Sequence, residues 1–164
     1  MKEDEASFTW IFQKLQLIYL GFEHLPSDSP TTIITDADPA IIAALITVFP
    51  NTHHLLCLWH IQKDVLAYIK KELHIQAIQN NLSQLEYTDW VATFAAELET
   101  DWNKVVYAST EEAFEASWTA FRTQYSERYP RIVNYLTNQW IPHKEKFIRA
   151  WTNKILHYGI TVTS

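Results

Sequence analysis

The chain has 164 residues, 48% of them hydrophobic and 20% charged, a balance that suits one globular domain with a real core and excludes a disordered chain. The net charge of −6 speaks against a free-standing nucleic-acid binder, the single cysteine, Cys57, excludes an intrachain disulfide, and no apolar run is long enough to span a membrane as a helix. Two glycines beside 14% aromatic residues leave few turns of positive φ, which favours helices over a many-stranded β fold.

The opening MKEDEAS is charged and does not read as a secretory signal. Residues 8–20 place Phe8, Ile11, Phe12, Leu15, Ile18 and Tyr19 at helical spacing, predicting a helix with one apolar face. Gly21 and a Pro-containing loop over 25–30 follow. The β-branched run TTIIT at 31–35 predicts a buried strand. Asp38 then suits a helix N-cap and Pro39 the first helical position, opening a helix over 39–49. Residues 55–59, LLCLW, predict a second strand, and Ile61, Val65, Ile69 and Leu73 a further helix. Helix, strand, helix, strand, helix over 8–73 predicts parallel strands joined by a right-handed crossover.

Beyond residue 73 only helical patterns remain. Two capping boxes are expected, Ser83 with Glu86 and Ser109 with Glu112. Val91, Phe94, Leu98, Trp102 and Val105 form one stripe, and Phe114, Trp118, Phe121 and Tyr125 a second. Pro130 opens a helix carrying Ile132, Val133, Leu136 and Trp140, Pro142 one carrying Phe147, Ile148 and Trp151, and Gly159 is placed to close the last. Residues 75–158 are therefore expected to be helical and to pack as a separate lobe. Charge is uneven: residues 127–154 hold six basic and two acidic residues, a local +4 that leaves −10 elsewhere. A basic end on an acidic body can meet phosphate, but from charge alone a solvated helix face is the better account.

Chemistry is sought first at Asp36, where a strand runs into a helix-opening loop. In open α/β sheets ligands gather at that edge, and a carboxylate there can help hold a divalent ion. The competing role for Asp36 is to cap the next helix or the turn, the more common use of a lone strand-end Asp, and Asp38 competes for that role. His53, His54, Cys57 and His60 are the right ligand types for Zn²⁺, but strand alternation splits them between two faces. Cys57 and His60 meet only if the chain turns between them, and structural roles are expected for both. Asp38, Asp64 and Glu72 are further carboxylates for a metal-dependent nuclease, although nothing in the sequence places Asp64 or Glu72 at the strand edge. The aromatic stripes suit core packing better than base stacking.

The stretch IITDADPAIIAALITVFPNTHHLLCLWHIQK at 33–63 resembles the centre of Mutator-like element (MULE) transposase domains: an apolar strand, Thr-Asp, a helix ending Val-Phe-Pro, then Leu-Cys-x-Trp-His-Ile. More loosely, EASFTWIFQKLQLIYL at 5–20 resembles the helix before this Asp, DWNKVVYASTEEAFEASWTAFRTQY at 101–125 the helical insertion after it, and HYGITVTS at 157–164 the approach to a Glu-containing helix. The resemblance implies an α/β protein with a large helical part: a partial RNase H-like strand-helix-strand core over 1–73, then a helical insertion over 74–164. It implies nuclear cut-and-paste DNA transposition by an Asp-Asp-Glu site using Mg²⁺ or Mn²⁺. Asp36 corresponds to the second acidic residue, as catalytic group and metal ligand, and Cys57 and His60 to a Cys-x-x-His motif of unassigned role. The other two carboxylates have no counterpart in 1–164. The chain is therefore expected to be an internal fragment, inactive alone. The alternative is a domesticated, non-enzymatic module contacting DNA or protein.

Overall fold

The computed structural model describes residues 4–21, 29–81 and 83–155. The expected closure at Gly159, the 157–164 segment and most of the 25–30 loop lie outside them. Two compact units are present: residues 1–61 with 155–164, and residues 62–154. The division falls inside one continuous helix, earlier than the residue-73 boundary expected from the change of pattern.

The first unit opens with α1 (Glu5–Leu20), capped by Asp4, whose carboxylate accepts the Ser7 N–H. The next described elements are β1 (Thr32–Thr35), then α2 (Pro39–Val48), then β2 (His53–Leu56). The strands pair in parallel, Thr32 opposite His53 through Thr35 opposite Leu56. That is the expected strand-helix-strand unit, with Asp38 capping α2 and Pro39 at its start. Its interior consists of Leu45, Phe49, Leu55, Leu56 and Ile61, each about 1% exposed. The expected apolar face of α1 is split. Phe8, Phe12 and Tyr19 are half-buried, with the Phe12 ring edge-on to Phe49, but Ile11, Leu15 and Ile18 are exposed and no α1 residue is fully buried. The β1 strand is likewise only half-buried along its length, although parallel strands are normally covered on both faces.

The second apolar run divides differently from its reading as a strand over 55–59. The strand begins at His53 and stops at Leu56, and Trp59, 49% exposed, lies in the first turn of α3 (Leu58–Gln79). The Cys57 N–H makes a last inter-strand bond to the Thr35 carbonyl at 2.7 Å, while the Cys57 carbonyl accepts the Ile61 N–H and so starts the helix. Five apolar residues carry no periodicity that separates the end of a strand from the start of a helix.

The second unit is helical in every described element: the body of α3, α4 (Gln84–Val106), α5 (Glu111–Tyr125), α6 (Pro130–Tyr135), a π-helical turn at Leu136–Trp140, a 3₁₀ segment at Ile141–Lys146, and α7 (Arg149–Thr152). The expected Ser83–Glu86 capping box is present. The second box is not: Thr110 caps α5, accepting the Ala113 N–H at 3.1 Å. The expected regular helix from Pro142 is also absent. Proline has no N–H to bond the carbonyl four residues back, and its ring crowds that carbonyl. The preceding turn widens, so that the Ile141 N–H reaches the Leu136 carbonyl, and a tighter 3₁₀ segment follows. Trp102, 1% exposed, lies at the centre of the core, its ring 6.4 Å from both Phe121 and Phe147.

Candidate functional site

The C-terminal edge of the two-stranded sheet gathers the residues singled out by the sequence. Register pairs Thr35 with Leu56, so Asp36 and Cys57 are the next residues on neighbouring strands. Asp36 is half-buried. Among the described residues, its carboxylate receives a long contact from the Asp38 N–H, at 3.4 Å. Asp38 is committed elsewhere: its Oδ1 accepts the Ala40 and Ile41 N–H groups at 2.7 and 3.2 Å, which is the N-cap role. The competition between the two aspartates for the cap is thus settled geometrically, and Asp36 is the one left facing the edge chemistry.

Thr35 steadies the backbone there. Its hydroxyl donates to the Asp36 carbonyl at 2.8 Å and lies 2.7 Å from His54 Nε2. A hydroxyl has one proton; with that proton on the Asp36 carbonyl, His54 donates from Nε2. This contact was not anticipated, because the strand was expected to start after the His pair. A strand beginning at His53 puts His54 opposite Ile33 in the register, within reach of Thr35.

Cys57 is half-buried between β2 and α3, and His60 is exposed on the first turn of α3, its ring edge-on to Trp59 at 4.8 Å. The chain does turn between them, as a meeting of the two would require. Among the described residues, however, no three His, Cys, Asp or Glu side chains are grouped to share a metal. The structure therefore does not assemble His53, His54, Cys57 and His60 into a ligand set. Asp64 and Glu72 belong to the helical unit. Glu72 is 7% exposed and faces the Arg131 guanidinium at 3.6 Å, which gives it a structural partner.

Much of the basic stretch is also partnered. Lys144 pairs with Glu115 at 3.3 Å and Lys154 with Glu111 at 2.8 Å. Lys144 further lies over the rings of Phe114 and Trp151, and Arg128 over Phe94 at 4.2 Å. Three of the six basic residues of 127–154 thus have carboxylate partners within the helical unit.

Comparison with known proteins bears on the motif at this edge. Residues 1–64 match the MULE transposase domain. The resemblance read from 33–63 is thereby borne out, and the matched MULE segment contains Asp36, Cys57 and His60. Relatives extend the similarity into the helical unit. Protein FAR1-RELATED SEQUENCE 5 of Arabidopsis thaliana is 28% identical over 146 residues, covering 87% of this chain and 15% of its own length. Protein FAR-RED IMPAIRED RESPONSE 1 of the same organism is 20% identical over 161 residues, covering 98% of this chain and 16% of its own. The chain thus spans 12–16% of the length of the curated relatives it matches. No solved structure matches it significantly. Among the described residues no helix is long and apolar enough to cross a membrane.

Proposed function

We propose that this chain is part of the catalytic domain of a DDE-type DNA transposase, in which Asp36 is one of the carboxylates that hold Mg²⁺ or Mn²⁺, DNA is the substrate and the nucleus is the place of action. The supporting observation is the position of Asp36: at the C-terminal edge of a parallel strand pair, inside the matched segment, with the neighbouring carboxylate already used as a helix cap. The two-strand unit corresponds, on this reading, to part of an RNase H-like core, with the helices from α4 onward as its insertion.

The residues present do not by themselves fit a two-metal centre. Mg²⁺ loses water reluctantly and is held by one or two carboxylates plus substrate oxygens, and two-metal phosphoryl chemistry needs ions clamped about 3.5–4 Å apart by shared ligands. At this edge the described residues offer Asp36 and an occupied Asp38. No catalytic step is therefore assigned to this chain alone, and the remaining ligands belong, on this proposal, to other parts of a longer polypeptide. Titration of the purified chain with Mn²⁺ tests the assignment. Weak binding is expected, lost in Asp36→Asn and retained in Asp38→Asn. Binding that survives Asp36→Asn would place the ion elsewhere.

A second reading is favoured by the names of the relatives. One is named for an impaired far-red response, not for DNA cleavage. A domesticated, non-enzymatic module that contacts DNA or protein agrees with that name and with the incomplete ligand set.

A further inference from the structure

Within the helical unit a cleft of about 270 Å³ is lined by Tyr68, Arg131, Asn134, Tyr135, Asn138 and Gln139. Five of these six come from one short stretch. Arg131, Asn134 and Tyr135 lie on α6, and Asn138 and Gln139 on the π-helical turn that Pro142 enforces. Their spacing, i, i+3, i+4, i+7 and i+8, is that of a single helix face. The sixth, Tyr68 of α3, lies flat against Tyr135, ring centroids 3.9 Å apart and planes 8° from parallel.

The lining holds three carboxamides, two phenols and one guanidinium, and no carboxylate. Burial pushes both phenols up from their ordinary values, with the Glu72 carboxylate adding to the effect at Tyr68 and Asp64 at Tyr135, so each keeps its proton at neutral pH. The guanidinium of Arg131 is shared with Glu72 at 3.6 Å, which weakens any pull on a phosphate. Beside that ion-paired, exposed guanidinium lies a planar, hydrogen-bonding environment next to stacked rings. Asn and Gln side chains match the donor–acceptor pair on a base edge, and aromatic faces stack on bases of any identity. The volume lies just under the roughly 300–1,000 Å³ typical of ligand pockets, suiting one flat ring system. Another cleft of similar size, lined by Asp101, Lys104 and Gln124 among others, lacks this character: Asp101 is satisfied by Lys104 at 2.6 Å and Tyr125 at 2.7 Å.

We infer that the Tyr68–Tyr135 cleft receives an unpaired nucleobase of single-stranded DNA, stacked on the tyrosine pair and hydrogen-bonded by Asn134, Asn138 and Gln139. The inference rests on the reading that the chain contacts DNA, and it adds the form of DNA and the place. It makes the π-helical turn functional, since that turn sets where Asn138 and Gln139 project.

Fluorescence anisotropy of labelled 12-nucleotide single strands and of the matching duplex, titrated with the full chain, tests it. Single strands should bind more tightly than duplex. Asn138→Ala, a change at an exposed position, should weaken single-strand binding and leave duplex binding alone. Tyr135→Leu should cost about 5-fold to 150-fold, the range for loss of one base stack, while Tyr135→Phe retains affinity. Circular dichroism checks folding, and if Tyr135→Leu unfolds, Asn138→Ala decides. Duplex binding equal to single-strand binding, or single-strand binding unchanged in folded Asn138→Ala, overturns the cleft assignment and leaves the DNA reading standing. Failure to bind either form overturns both.

Discussion

At the scale of single residues, the carboxylates show how environment assigns roles that sequence leaves open. Asp36 and Asp38 are two residues apart and chemically identical, yet one caps a helix and the other does not, because only Asp38 meets the free N–H groups of Ala40 and Ile41. Asp101 shows a third role. Burial acts to raise its pKa, but hydrogen bonds from Lys104 and Tyr125 outweigh that and hold it below its ordinary value. A carboxylate with a depressed folded-state pKa contributes stability above its unfolded pKa of about 3.9, and this is lost as pH falls through the folded value. Acid titration followed by circular dichroism should show Asp101→Asn less stable than the parent at pH 7, by about 1–3 kcal/mol, with the difference shrinking below about pH 4. A difference that persists or grows in acid would contradict the role given to this carboxylate. Tyr125, whose phenol donates to Asp101 and lies 3.3 Å from Glu97, is pushed well above its ordinary range by burial and by these two anions.

At the scale of elements, periodicity carried well where a helix was long and buried on one face. Of the first stripe, Leu98, Trp102 and Val105 are buried while Val91 and Phe94 are only half-buried; Phe114, Trp118, Phe121 and Tyr125 of the second are all buried. It failed where the run was short or a proline intervened. The strand end at Leu56 depends on where Cys57 finds its hydrogen-bond partners, which no spacing encodes. The π-turn and 3₁₀ segment depend on Pro142 acting at a distance of several residues. The α1 helix shows a different limit: its apolar periodicity is genuine, but pattern cannot say whether a partner is present to cover it, and Ile11 and Ile18 remain exposed. The seven tryptophans illustrate the same point energetically. Trp102→Ala should cost about 3–5 kcal/mol in urea unfolding, the usual range for a buried large ring, whereas Trp59→Ala, half-exposed, should stay within about 1 kcal/mol. Equal costs at the two positions would contradict the core described here.

At the scale of the whole molecule, the family motif was legible because it is a series of residue types in fixed order, and the match over residues 1–64 bears it out. The site itself was legible only in part. Asp36 could be placed at a strand end from TIIT followed by a helix cap, and its companionship with Cys57 along the sheet edge follows once the parallel register is known. The Thr35–His54 contact and the tyrosine cleft were invisible, since each joins residues from separate elements: 19 positions apart in the first case and α3 with α6 in the second. On the proposed reading, Asp36 contributes one carboxylate of a metal site, and residues 1–164 do not cut DNA unaided. Positioning and electrostatic stabilisation supply nearly all the acceleration in phosphoryl transfer, and Asp36 alone cannot fix two ions. The most direct test is a strand-cleavage assay of purified 1–164 with Mg²⁺ or Mn²⁺ beside an Asp36→Ala control. The account predicts no metal-dependent cleavage by either protein. Metal-dependent cleavage by the parent chain that disappears in Asp36→Ala would contradict it, and would show that residues within these 164 complete the site.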